Sequence, residues 1–193
     1  MSENSPKVDR RVRRSRRLIE QALFDLWQER GWDDISVMDI AERAGVNRST
    51  FYAHYDDKYD LLGYSIRNRF SLYLQETVPT PDEFSIHDLH KLVMAMRGFA
   101  AQIHAGCHPV ENQLDLIMQA QVQTVLQEFL LAWLQKSNIQ TQRDTLALTL
   151  SWTVFGAGMR ASVLGDAAEV SALVAEVVSI IKRMIPTEVV SAM

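Results

Sequence analysis

Residues 36 to 62, SVMDIAERAGVNRSTFYAHYDDKYDLL, leave the backbone little choice of local fold. Ser36 is a good N-cap, Asp39 can reach back to its amide, and Val37, Ile40, Ala41 and Ala44 follow at helical spacing. Gly45 stops that helix. A residue there must take positive φ, which only glycine does without steric penalty, and Val46 behind it can fold back onto the helix. Asn47 is placed to cap a second helix from Arg48 to about His54, with Phe51 and Tyr55 on one side and Arg48, Ser49, Thr50 and Tyr52 facing outward. A short helix, a glycine turn and a second helix with a basic, hydroxyl-rich start form the pattern of a DNA-reading module.

Charge is distributed to match. The chain carries a net charge of −4, yet residues 7–17, KVDRRVRRSRR, hold seven basic residues and one acid. From residue 80 onward there are seven Lys or Arg against eleven Asp or Glu. One end is therefore cationic and the rest anionic, which suits a protein that approaches phosphate with one end only. The basic segment reads either as a solvated tail or as a minor-groove or backbone contact, since such arms bind through counterion release in either case.

The remainder reads as helix after helix, and the expected fold is all-α. Leu18, Ile19, Ala22, Leu23, Leu26 and Trp27 form an apolar stripe on a first helix ending before Gly31. Asp56 and Asp57 are expected to cap a fourth helix that runs to about Thr77, and Pro79 and Pro81 break it. Further helices are expected from Ile86 to about Ala105, Gln113 to Gln135, Arg143 to Leu164 and Ala167 to about Ile185. The expected organisation is a flexible N-terminal arm (1–9), a three-helix helix-turn-helix domain (10–57), a linking helix (58–78) and a C-terminal helical bundle for dimerisation and ligand binding (79–193). Cys107 is the single cysteine and the N-terminus lacks an apolar signal segment, so a reducing, cytoplasmic setting is expected. The longest uncharged run, Thr145 to Met159, is too short for a membrane span.

Thirteen positions resemble the TetR family of bacterial transcription regulators: Ile40, Ala41, Ala44, Gly45, Val46, Thr50, Phe51, Tyr52, His54, Tyr55, Lys58, Leu61 and Leu62. The likeness covers roughly residues 10 to 65, and the wording Asn-Arg-Ser-Thr-Phe-Tyr further resembles a branch that includes activators of dihydroxyacetone utilisation. It implies a homodimer on a palindromic operator, most often a repressor, whose C-terminal domain takes a small-molecule effector. On the residues alone, Arg48 stands where a recognition helix enters the major groove, and its planar fork matches the O6 and N7 acceptors of guanine. The resemblance implies base or phosphate contacts for Ser49 and Thr50, and phosphate contacts for Ser36, Tyr52, His54 and Lys58. Asn47 belongs to the same DNA-binding set.

A dimer follows from the limited sequence that one such module reads. The expected interface is Leu150, Val154, Gly158 and Ala161 with Val170, Leu173, Val174, Val177 and Ile181, the small residues, Gly156 among them, allowing close helix approach. Family analogy puts an effector among Met94, Met96, Phe99, Met118, Phe129, Trp133, Trp152 and Phe155, a set that also reads as plain core. His87 and His90, and His104, Cys107 and His108, are candidate metal ligands, but a helix separates the two groups by roughly 20 Å or more, so no metal or cofactor is expected. Gly156-x-Gly158-x-x-Ala161 resembles a dinucleotide motif without the strands that motif requires. No nucleophile elbow, metalloprotease motif or phosphate loop argues for an enzyme. The alternatives to an effector-responsive repressor are a regulator acting through protein partners and a metal- or redox-responsive one, the latter through Cys107.

Overall fold

The computed structural model describes residues 6–78, 86–106, 112–136 and 142–184, and all the regular structure in them is helical. The elements are α1 (Pro6–Glu29), a 3-10 turn (Trp32–Asp34), α2 (Val37–Ala44), α3 (Arg48–Tyr52), α4 (Lys58–Thr77), α5 (Ile86–Gly106), α6 (Asn112–Lys136), α7 (Arg143–Ser162) and α8 (Ala167–Met184). Helix α1 begins at Pro6, within the stretch read as an arm, and α3 is shorter than its sequence pattern suggests, ending at Tyr52. Pro79, Pro81, Cys107 and His108 lie outside the described residues, as does the side chain of His104. Among the described residues no helix is long and apolar enough to cross a membrane.

The chain divides into two units, Met1–Ile66 with Gly106–Gln119, and Arg67–Ala105 with Ala120–Met193. In the first, α2 packs against α1 and α3. Ile19, Leu23 and Trp27 of α1, Ile40 of α2, Phe51 of α3 and Leu61, Leu62 and Ile66 of α4 are fully buried. Each such side chain contributes about 1.5–3 kcal/mol relative to exposure. Phe51 anchors the short recognition helix, which at five residues has too few internal bonds to be stable alone.

In the second unit the core draws on Phe70 and Leu74 of α4, Leu89, Leu92 and Met96 of α5, Leu126, Leu130 and Trp133 of α6, and Leu150 and Val154 of α7. α7 also pairs with α8. Gly158 sets the approach of α7 to α5, because a Cβ there would lie 2.6 Å from Met96 Cβ. Nearby, the Arg97 guanidinium donates from Nε to the Ala161 carbonyl at 3.1 Å.

Most residues of the expected pairing surface pack inside this chain. Leu150, Val154, Gly158, Ala161, Val170, Val174 and Ile181 are buried within their own chain, and Leu173 and Val177 are half-buried. The face that α7 leaves open is the opposite one. It comprises Leu148, Trp152 and Val163, 44, 50 and 65% exposed, with half-buried Phe155 and Met159 between them. Gly156 lies on this face with nothing within 4 Å of where its Cβ would be. Both faces of α7 are apolar, so periodicity could not say which one turns inward.

The effector residues divide likewise. Phe99 and Trp133 are buried, with Phe99 held between Phe70 and Tyr73 at centroid distances of 4.7 and 5.8 Å and Trp133 set 6.1 Å from Phe129. Met96 is buried against Gly158, while Met94 and Phe129 are half-buried. Met118 is half-buried and belongs to the first unit. Trp152 stands on the open face of α7, edge-on to Phe155 at 6.2 Å, and so lines no interior of its own chain.

Candidate nucleic-acid interface

The turn that presents the recognition helix is built as its sequence dictates. Ser36 Oγ accepts from the Asp39 amide at 3.2 Å, the Ser36 amide donates to Asp39 Oδ2 at 2.8 Å, and the two side chains also meet directly. Arg30 adds an ion pair to Asp39 at 2.9 Å. The Ser36 hydrogen bonds, and then Arg30, hold the Asp39 carboxyl well below the usual carboxylate range. Gly45 closes α2 at φ 66° and ψ 33°, its amide on the Ala41 and Glu42 carbonyls, and the Val46 amide returns to the Ala41 carbonyl at 3.0 Å. A forked Arg43–Glu29 pair, at 2.8 and 2.6 Å, ties α2 to the end of α1. That pairing keeps the Glu29 carboxyl low and raises Arg43.

Asn47 occupies the N-cap of α3, but its side chain makes no capping bond; its carbonyl accepts from the Thr50 and Phe51 amides instead. The Asn47 amide group, exposed beside Arg48 and Ser49, is therefore available to a partner. Arg48 and Tyr52 form a pair one turn apart. The guanidinium donates to the Tyr52 hydroxyl at 3.2 Å and its Cζ lies 5.6 Å from the ring centroid. Both are exposed, and Thr50 is half-buried.

His54 and Lys58, for which the resemblance implies phosphate contacts, both have partners within the chain. The Ser15 hydroxyl lies 3.1 Å from the Arg11 and Val12 carbonyls of its own helix and 2.9 Å from His54 Nε2. With its hydrogen directed to those carbonyls, Ser15 Oγ accepts from the ring. Burial, and then the Arg16 charge, push the His54 ring below the ordinary histidine range. The contact links α1, with its exposed Arg10, Arg11, Arg13, Arg14 and Arg17, to the residues that follow α3. Lys58 donates from Nζ to the Trp32 and Ile35 carbonyls at 3.0 and 2.9 Å, over the Trp32 ring at 4.9 Å and the Tyr59 ring at 5.7 Å. An ammonium has three donor hydrogens, so two are directed into the loop that delivers Ser36. Asp57 caps α4 as expected, its carboxylate accepting from the Tyr59 and Asp60 amides at 2.8 Å each.

Sequence reasoning missed Ser15, Arg16 and Trp32. Their partners lie 26 to 39 residues away or, for Arg16, in the Tyr64 ring 5.4 Å from its guanidinium carbon, and no spacing rule links them. On α5 the expected metal-ligand candidates His87 and His90 are exposed, and among the described residues no three metal-ligating side chains gather.

Residues 19–64 match the model of a family described as bacterial regulatory proteins, tetR family. The HTH-type transcriptional regulator YxbF of Bacillus subtilis is 30% identical over 92 residues, which are 46% of this chain and 24% of that protein. The chain thus spans about a quarter of the length of that curated relative. A TetR-family regulator from Streptomyces coelicolor A3 superimposes with a TM-score of 0.59 at 16% identity, covering 94% of this chain and 98% of the other. FadR from Bacillus subtilis, solved with stearoyl-CoA, gives 0.51 at 16% identity over 86% of this chain and 96% of its own. At these identities the structures share the fold alone. The proteins matched are regulators rather than enzymes.

Proposed function

We propose, from an N-terminal domain that belongs to the tetR family of bacterial regulatory proteins, that this chain is a homodimeric transcription regulator, acting as a repressor at a palindromic operator and answering to a small-molecule effector. The exposed Arg48–Tyr52 pair carries the reading. It spans α3 from its first residue to its last, in the same unit as the basic segment of α1. Arg48 reads a guanine edge, with Asn47, Ser49 and Thr50 as its neighbours in the groove. Tyr52, the α1 arginines and the N-terminus of α2 grip phosphate, while His54 and Lys58 hold the parts in register. Two heads are brought together by a second copy of the chain seated on the open apolar face of α7 around Gly156, where small size admits a close helix crossing. The effector is supported by the FadR structure, which carries an acyl-CoA within the same fold.

Selection of bound duplexes from a random pool tests the reading. The expected product is a palindrome with half-sites about one helical turn or a multiple apart. Arg48→Ala is expected to lose about 1–3 kcal/mol of discrimination at one base pair of each half-site. Retention of the full base preference by that variant overturns the role given to Arg48, and failure of the wild type to enrich any sequence overturns the operator.

A further inference from the structure

Helix α6 carries glutamine at positions 113, 119, 121, 123, 127 and 135. Gln123 shares a helical face with Leu126 and Leu130, both buried in the core of the second unit. Its amide is buried with them. Neither Nε2 nor Oε1 reaches solvent, and neither has a hydrogen-bond partner. Among the described residues of that unit no other side chain has buried, unpartnered nitrogen or oxygen. A primary amide offers two donor hydrogens and a twofold acceptor, so both of its faculties are unused at a place where leucine or methionine costs no desolvation. A buried amide without a partner in its own chain calls for one from outside it.

The surroundings narrow what completes it. Within its unit, one and two turns away on its face, stand Ala120, Leu126, Gln127 and Leu130, none of them charged. A charged ligand group lacks a counter-ion on this face, whereas a neutral group with a donor beside an acceptor satisfies both ends of the amide at once. We infer that Gln123 is the hydrogen-bonding anchor for an uncharged effector of this kind, a carboxamide or a neighbouring pair of hydroxyls. The inference rests on the effector reading above and gives it a residue and a ligand class. It is independent of where on DNA the protein binds.

The full chain is tested with benzamide and catechol as probes, by calorimetric titration and by thermal melting. Wild type is expected to bind at least one probe. Gln123→Leu and Gln123→Met are expected to bind it at least about tenfold more weakly, since neither side chain can hydrogen-bond the probe. Without probe, both variants are expected to melt above wild type, to keep its oligomeric state and to enrich the same DNA. If both variants melt below wild type, the amide is a structural group and the inference fails. It fails too if either variant keeps wild-type probe affinity, or if wild type binds neither probe. Failure to enrich DNA with probe binding intact counts against the regulator reading and leaves Gln123 standing.

Discussion

Both units are built on an apolar core, and they differ in the contacts described around it. In the first, directional bonds fix the pieces: the Ser36–Asp39 box, the Arg30–Asp39 and Arg43–Glu29 pairs, the Lys58 ammonium on two carbonyls and the His54–Ser15 bridge. In the second, Arg67–Glu128 and the Arg97 bond to Ala161 stand beside contacts set by shape, such as Gly158 against Met96 and Gly98 beneath the Tyr73 hydroxyl. Hydrogen bonds have angles and tolerate little displacement, whereas apolar helix contacts slide and repack at modest cost. The proposed function asks for such a difference: a head that presents Arg48 in one position, and a unit that adopts two arrangements when an effector binds.

The largest expected effect is in the head. Phe51→Ala removes the fully buried anchor of a five-residue helix and is expected to cost about 3–5 kcal/mol. Calorimetry should show the first unit melting early with the second little changed; a single unshifted transition breaks the division between them. Next come the two glycines of α7. Gly158→Leu collides with Met96 and is expected to destabilise the chain by about 1–3 kcal/mol. Gly156→Arg meets nothing within its own chain, so the melting temperature of the monomer should hold while sedimentation shows loss of the dimer. If the dimer survives, the open face is not where two copies meet.

Lys58→Met sharpens the contrast within the head. Removing a cation that neutralises a phosphate makes the slope of log affinity against log salt shallower by about 0.9. With its ammonium on the Trp32 and Ile35 carbonyls, Lys58 is expected to leave that slope unchanged while the variant binds all sequences more weakly alike. A slope shallower by about one restores it as a phosphate ligand. The smallest effect concerns pH. The folded-state pKa of His54 is depressed, so the neutral ring is favoured by folding. Its contribution is complete above the ordinary histidine value near 6.5 and is lost as pH falls through the lower folded value. Melts between about pH 7 and 5 should show a shallow decline that His54→Gln flattens. An equal decline in the variant assigns it to other groups.

Much of the head was legible because its signals are local. Caps, a glycine at positive φ and an i, i+4 pair are each written within five residues, and Ser36, Gly45, Asp57 and the Phe51 core position all stand where spacing puts them. The directions of His54 and Lys58 were not legible. Each depends on a residue from a distant part of the chain, and a side chain of the right type at the right place can still turn to a neighbour rather than a ligand. In the second unit helix order was legible and facing was not. α7 carries apolar residues on two opposite sides, so its buried side and its open side exchange roles under a rotation that the sequence pattern does not forbid.

The two-sidedness of α7 separates two kinds of evolutionary change. Under the pairing proposed above, substitutions at Leu148, Trp152, Phe155 or Met159 would alter which chain is accepted as a mate without disturbing the interior behind Ala147, Leu150 and Val154. After a gene duplication, two sister chains paired in this way would stop forming mixed pairs by changing this one strip.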